Sequence, residues 1–348
     1  MCKFLWNSIP ANVALGVEKR TTRFNAGEAA HPWWSRARGA HRVFRVLAIV
    51  GIVLLPTAIA VGQVTFTGSQ IQVGDGVSAT PSSLSIDGAG DLFIADRGNN
   101  RVVEMTPSEA GYGAANTVLD GLSAPSGVAA DWNGNVYVAD TGNDRILMLP
   151  LSGGGFGSAV TIGAGLNRPM GLAVDQTGNV YVADTGNNRV VELPRLGNGF
   201  GTLIIVGTGF NGPTAVAVDA DKSLYIVDTG NGQVVKKPFT ATGYGVQQTL
   251  AHSLTAPMGV AVDDSHNLYI AETGNSKVVE LPWTAGPNRY SAAIAVGSNF
   301  TSPLAVAVDG NGNAFVADGS NSQVWEVTSA SGGFGAISTN STSTPPGI

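Results

Sequence analysis

Six prolines set the frame of this chain. Pro81, Pro125, Pro169, Pro213, Pro257 and Pro303 each open a near-identical stretch, at spacings of 44, 44, 44, 44 and 46 residues. The third copy reads PMGLAVDQTGNVYVADTGNNRVVELP, and the fifth PMGVAVDDSHNLYIAETGNSKVVELP. A chain that repeats at a fixed period of this size folds as an array of equal units, and those units bury their apolar faces against one another.

Local chemistry turns each copy into strands. The segment after the proline, such as GLAVD, is a short run of small and β-branched residues. An Asp then opens a turn, because its carboxylate accepts hydrogen bonds from nearby backbone N–H groups. NVYVAD is a second strand, TGNN a turn and RVVELP a third strand. A glycine–aromatic–glycine step follows, as in Gly155-Phe156-Gly157, and then a fourth strand such as TLIIVG. The 47 glycines fit this reading, since tight turns need positive φ. Four antiparallel strands in about 44 residues is the size of a propeller blade. The expected fold is all-β: a six-bladed β-propeller of four-stranded antiparallel blades.

Stacking follows from side-chain size. In the third copy Gly171 and Ala173 make one face of the first strand small, while Leu172 and Val174 make the other large. A small face receives the large face of its neighbour, so a blade is complete only when flanked on both sides. A closed ring leaves no uncapped end. A candidate strand, Ser69–Val73, precedes the first unit and is expected to complete the last blade. A second candidate, Gly333-Phe334-Gly335-Ala336-Ile337, follows the last unit.

The string P-x-G-[VLI]-A-V-D-x-x-G-N-V-Y-V-A-D-T-G-N-N-R-V resembles the NHL repeat, and the resemblance runs over residues 81–348. It implies a six-bladed propeller. It implies no single function: NHL propellers serve as extracellular sensor domains of bacterial receptor kinases, as RNA-binding domains and as a metal-dependent amidating lyase. The Gly-Phe-Gly variant is similar to that of exported bacterial repeat proteins.

Upstream of the repeats the composition changes. The first 45 residues hold eight of the 19 Lys/Arg and two of the 25 Asp/Glu, leaving 11 bases against 23 acids, a net of −12, in the rest. Residues 46–62 carry the uncharged run VLAIVGIVLLPTAIAV, then small residues with Ala58-Ile59-Ala60 as a cleavage site. Basic, apolar and small residues in that order resemble a secretory signal peptide. The apolar run of 16 residues is shorter than the ~20 a spanning helix needs. Residues 1–45 read either as a disordered basic leader or as lying upstream of the true start. Residues 63–338 are the propeller and 339–348 a frayed Ser/Thr/Pro tail. The mature protein is expected to begin at Val61 or Gln63, secreted or periplasmic. The alternative is an uncleaved membrane anchor with the propeller outside the cytoplasm.

The acidic balance argues against nucleic acid as a partner. Cys2 is the only cysteine, so neither an internal disulfide nor a thiolate metal cluster can form. Asp87, Asp131, Asp175, Asp219, Asp263 and Asp309 recur in every copy and are read as turn caps. Asp96, Asp140, Asp184, Asp228 and Asp318, with Glu272 in the fifth copy, stand five residues before Arg101, Arg145, Arg189 and Lys277, and exposed pairs of this kind contribute only ~0–1 kcal/mol. Trp132, Trp283 and Trp325 are read as packing residues, and Lys236-Lys237 as solvated. His252 and His266 are expected near opposite faces, unable to share a metal.

Function is sought where copies depart from consensus. Arg97 replaces a turn Thr, Arg168 precedes Pro169, and Glu272 replaces Asp. Met170 and Met258 follow their prolines, with Thr214 at the same position. These six are the expected ligand-binding residues, on the face where the chain enters each first strand. The expected function is a non-catalytic binding or scaffold propeller whose partner is a protein, a peptide or a small anionic ligand, with no cofactor. The alternative is a divalent-metal hydrolase or lyase holding Ca²⁺ or Mg²⁺ on acidic turns.

Overall fold

The computed structural model describes residues 66–329, apart from 74–76, 78–79, 110 and 285–289. The basic leader, the apolar segment 46–62, the candidate strand 333–337 and the tail 339–348 lie outside the described residues. Among the described residues no helix is long and apolar enough to cross a membrane.

Six four-stranded antiparallel sheets form the blades of a propeller. The third blade is representative. Its inner strand is Pro169–Val174, its second Val180–Asp184, its third Arg189–Leu193 and its outer strand Ile204–Thr208. Every residue of Val180–Asp184 is buried. A short, continuously apolar run suits a strand covered on both faces. The Asp175 carboxylate caps the first turn as expected: one oxygen accepts the N–H groups of Thr177 and Asn179 at 2.9 and 3.0 Å, the other the Asn179 amide at 2.8 Å. A single 3₁₀ turn, Thr185–Asn187, joins the second and third strands.

The core lies between blades. Each of six hydrophobic clusters takes residues from two neighbouring blades, such as Tyr137, Ala139 and Ile146 with Leu172, Val180 and Leu193. Burying one such side chain contributes about 1.5–3 kcal/mol, so stability comes from blade neighbours. Small residues are required where inner strands meet: a Cβ on Gly171 would lie 2.5 Å from the Ala215 Cα of the next blade.

The glycine–aromatic–glycine steps add a device that the strand reading did not contain. Gly155–Phe156 pairs with Leu151–Ser152 as a two-residue ladder, and its ring reaches back to the preceding blade. Phe200 meets Tyr137 in the same way, and Tyr244 meets Tyr181, with edge-to-face centroid separations of 6.1 and 6.4 Å. Tyr112 of the first blade meets Phe315 of the sixth at 5.7 Å, across the closure of the ring.

Closure uses the N-terminal strand. Phe66–Val73 pairs antiparallel with Gln323–Ser329, with Gln72 opposite Trp325, and is the outer strand of the sixth blade.

Three sequence expectations need correction. The acids before the second turn do not form exposed pairs: Asp140 and Asp184 are wholly buried. Asp140 accepts Arg145 Nε at 2.7 Å and the Asn143 amide at 2.8 Å, while its other oxygen takes the Ser123 N–H at 2.7 Å. It ties its own turn to the loop leading into its blade. Lys236 is not merely solvated, since its Nζ reaches Tyr225 Oη at 2.7 Å and Asp219 at 3.3 Å. Trp132 is not a packing residue; it is 72% exposed.

Candidate functional site

The six inner strands surround the axis, and the same position in each carries a branched aliphatic residue that packs in the core between blades: Leu84, Val128, Leu172, Val216, Val260 and Val306. All six are buried. They border two cavities, one toward each face of the ring. The two cavities share this ring of six residues.

The smaller cavity, of about 100 Å³, opens on the face where ligand residues were expected. Arg97, Met170, Thr214 and Met258 line it. Its hydroxyls serve the ring. Thr214 Oγ1 lies 2.6 Å from Thr229 Oγ1 and donates to the Met258 carbonyl at 3.2 Å. In the second to fifth blades the turn threonine donates to the proline carbonyl of the following blade, as Thr141 does to Pro169 at 2.6 Å. Arg97 has no hydroxyl at this position, and Ser82 Oγ donates to the corresponding carbonyl, Pro125 O, at 2.9 Å. The hydroxyl after the proline, which the first blade shares with Ser126 and Thr214, takes over the role of the turn threonine there.

The other two expected residues are placed elsewhere. Arg168 is exposed and does not line the cavity; its N–H donates to Asp144 at 2.6 Å. Glu272 is buried, and its carboxylate is occupied by Lys277 at 2.9 Å, the Thr255 N–H at 3.1 Å and the Asn275 amide. Its extra methylene lets it do the work of the aspartates in the other blades, so its side chain is not free for a ligand.

The larger cavity, of about 880 Å³, opens on the opposite face, among the turns between inner and second strands. Its walls combine aliphatic residues, including Ile86, Val174, Val218 and Val262, with the polar groups of the turns. Asp87, Asp131, Asp263, Asp264 and Asp309 stand at its mouth with Trp132. The Trp132 indole lies across Gly88 of the first blade, where a Cβ would be 3.3 Å from Trp132 Cε3. The other copies hold Gly88, Gln176, Ala220, Asp264 and Gly310 at that turn position. A lone Trp among them is the signal by which the sequence could have marked this mouth.

Two features set the electrostatics of this face. The first blade replaces the Asn and Tyr that bond the turn acid in the second blade by Asp91 and Phe93. Burial and the Asp87 charge hold the Asp91 carboxyl above the usual range. In the third and fourth blades the turn acids have cationic partners: Lys222 lies 3.3 Å from Asp175, and Lys236 3.3 Å from Asp219. His266 also faces the fourth blade, with Nδ1 3.6 Å from Asp219 and Nε2 3.9 Å from Asp221. These three are close enough together to hold a metal ion. Sequence reasoning missed the group because His266 is brought from the next blade.

The NHL repeat family model matches residues 122–147 and 166–193. No curated protein sequence matches. Among solved structures, a streptogramin B lyase superposes with a TM-score of 0.55 at 12% identity, over 75% of this chain and 97% of that one. An auxiliary nutrient binding protein from Bacteroides ovatus gives 0.58 at 13% identity, over 72% and 70%. A gluconolactonase from Xanthomonas campestris gives 0.58 at 17%, over 72% and 87%. At these identities the likeness establishes the fold alone.

Proposed function

We propose, from the premise that this chain is a six-bladed β-propeller of NHL repeats, that it is an exported binding module that takes its ligand in the larger cavity. The observation that carries this reading is the shape of the channel. The 880 Å³ cavity narrows from its turn-lined mouth to the ring of Leu84, Val128, Leu172, Val216, Val260 and Val306, which it shares with the smaller cavity. A concave, apolar site with a few convergent polar groups is the usual form of a small-molecule site. The likeness to nutrient-binding propellers agrees with this reading. Export rests on the basic, apolar and small-residue succession through residue 62.

The test is binding of a neutral apolar fluorophore, N-phenyl-1-naphthylamine, to the secreted protein. Wild type should bind it at one site, and Val218→Trp, which places an indole in the cavity wall, should weaken binding several-fold without loss of fold. A probe that binds both equally, or neither, would overturn the assignment. N-terminal sequencing of exported protein should give Val61 or Gln63; retention of residues 1–45 would remove the export reading.

One observation favours the metal-hydrolase alternative, the Asp219–Asp221–His266 group. Against it, none of the three lines the larger cavity, and Lys236 already holds the shared Asp219 oxygen. A shift of the unfolding midpoint on chelation, lost in His266→Gly, would revive it.

A further inference from the structure

We propose that the larger cavity selects an organic cation with an apolar body, whose charged head rests at the mouth against Trp132 and the turn carboxylates. The proposal deepens the binding reading above and rests on it.

The distribution of compensating charge leads to this class. Every blade carries a turn aspartate facing this side. In the third and fourth blades lysines stand against it, Lys222 at Asp175 and Lys236 at Asp219. The turns of those two blades do not reach the cavity mouth. The turns of the first, second, fifth and sixth blades do, and among the described residues none of Asp87, Asp131, Asp263, Asp264 or Asp309 has an ion pair. No Lys or Arg is among the residues lining the cavity.

The turn hydrogen bonds do not remove this charge. The N–H groups and Asn amides that bond Asp131, Asp263 and Asp309 are neutral donors. They hold each carboxylate in place without neutralising its charge. Apolar walls below the mouth focus that potential, because field lines avoid the low-dielectric wall.

Trp132 supplies a second, independent element. The six-membered ring of the indole lies beside Gly88, and the side chain is 72% exposed. An indole at the edge of an acidic mouth attracts a cation through its ring quadrupole and an alkyl or aryl group through its area. A hydrated inorganic cation would gain nothing from the indole or from the aliphatic walls. A small anion would meet the carboxylates of the first, second, fifth and sixth blades at the mouth. An amine or quaternary ammonium with a hydrocarbon tail matches all three features, with the tail directed toward the aliphatic ring.

The test compares three ligands of similar shape on the secreted protein by titration calorimetry: 4-phenylbutyl-trimethylammonium, its neutral tert-butyl isostere, and 4-phenylbutane-1-sulfonate. The cation should bind about tenfold tighter than the neutral compound at low salt. That preference should shrink on raising salt from about 20 to 300 mM, within the range where screening acts on exposed charges. Trp132→Ala and Asp264→Asn, both at exposed positions, should each weaken the cation several-fold more than the isostere, with unchanged unfolding midpoints. If the neutral compound binds as well as the cation, or the sulfonate binds best, this inference fails while the cavity assignment stands. If none of the three binds, both fail.

Discussion

Phe156 of the second blade meets Phe93 of the first edge-to-face, with ring centroids 6.1 Å apart. The contact belongs to a series in which a hairpin aromatic leans on the second-strand aromatic of the preceding blade. Edge-to-face pairs add about 0.5–1.5 kcal/mol beyond the area they bury. Phe156→Ala should destabilise the propeller by about 2 kcal/mol, because the ring is half-buried and a cavity forms against Phe93. A double-mutant cycle with Phe93→Leu in urea unfolding should give a coupling of about 0.5–1.5 kcal/mol. Additivity of the two changes would show that the rings do not act as a pair.

Arg189 Nε lies 2.7 Å from the wholly buried Asp184, and Gln233 donates to Asp228 at 2.8 Å in the equivalent place. A neutral donor therefore satisfies this acid. Arg189→Gln should cost under about 1 kcal/mol. Arg189→Met, which leaves the carboxylate short of a donor, should cost about 2–3 kcal/mol. Equal unfolding midpoints for the two variants would contradict this account.

Glu280 is fully buried, and neither of its carboxylate oxygens has a hydrogen-bond partner. Burial, and then the nearby Asp263 charge, push its carboxyl up to about 7. In the unfolded chain it titrates near the ordinary 4.5. Below pH 4.5 both states hold the proton and nothing is lost. Between pH 4.5 and 7 the folded state binds more protons, so stability falls as pH rises, by up to about 3 kcal/mol from this group. Glu280→Gln should remove this contribution and raise the thermal midpoint at pH 8 more than at pH 5. A midpoint difference that is independent of pH would refute it.

The pairing of Gln72 opposite Trp325 makes the N-terminal strand the outer edge of the sixth blade. A variant beginning after Val73 leaves the third strand of that blade with an open edge, a template for pairing with another chain. It should unfold at a temperature lower by several degrees and self-associate in sedimentation. A monomer with an unchanged midpoint would show that the strand does not close the ring.

The repeat made much of this legible in advance. Inner strands after each proline, the capping role of Asp131 and Asp175, and the sixth blade completed by Ser69–Val73 all follow from turn chemistry and period. These are properties of short segments, and short segments carry them wherever they fold. The expected binding face was also read from local departures, and the structure separates those residues. Arg97, Met170, Thr214 and Met258 share one small cavity, while Arg168 and Glu272 stand apart from it.

What the sequence by itself determined is the unit: four strands, their turns, and the number of copies. Only the tertiary structure decided what the copies do together. Ser82 bonding Pro125 in place of a threonine, His266 facing Asp219, Lys222 standing against Asp175, and the exposed Trp132 over Gly88 each join two different blades. Such meetings depend on the angle at which neighbouring sheets pack and on closure of the ring. Those are set by many buried contacts acting at once, and no window of the chain short enough to read as a motif contains them.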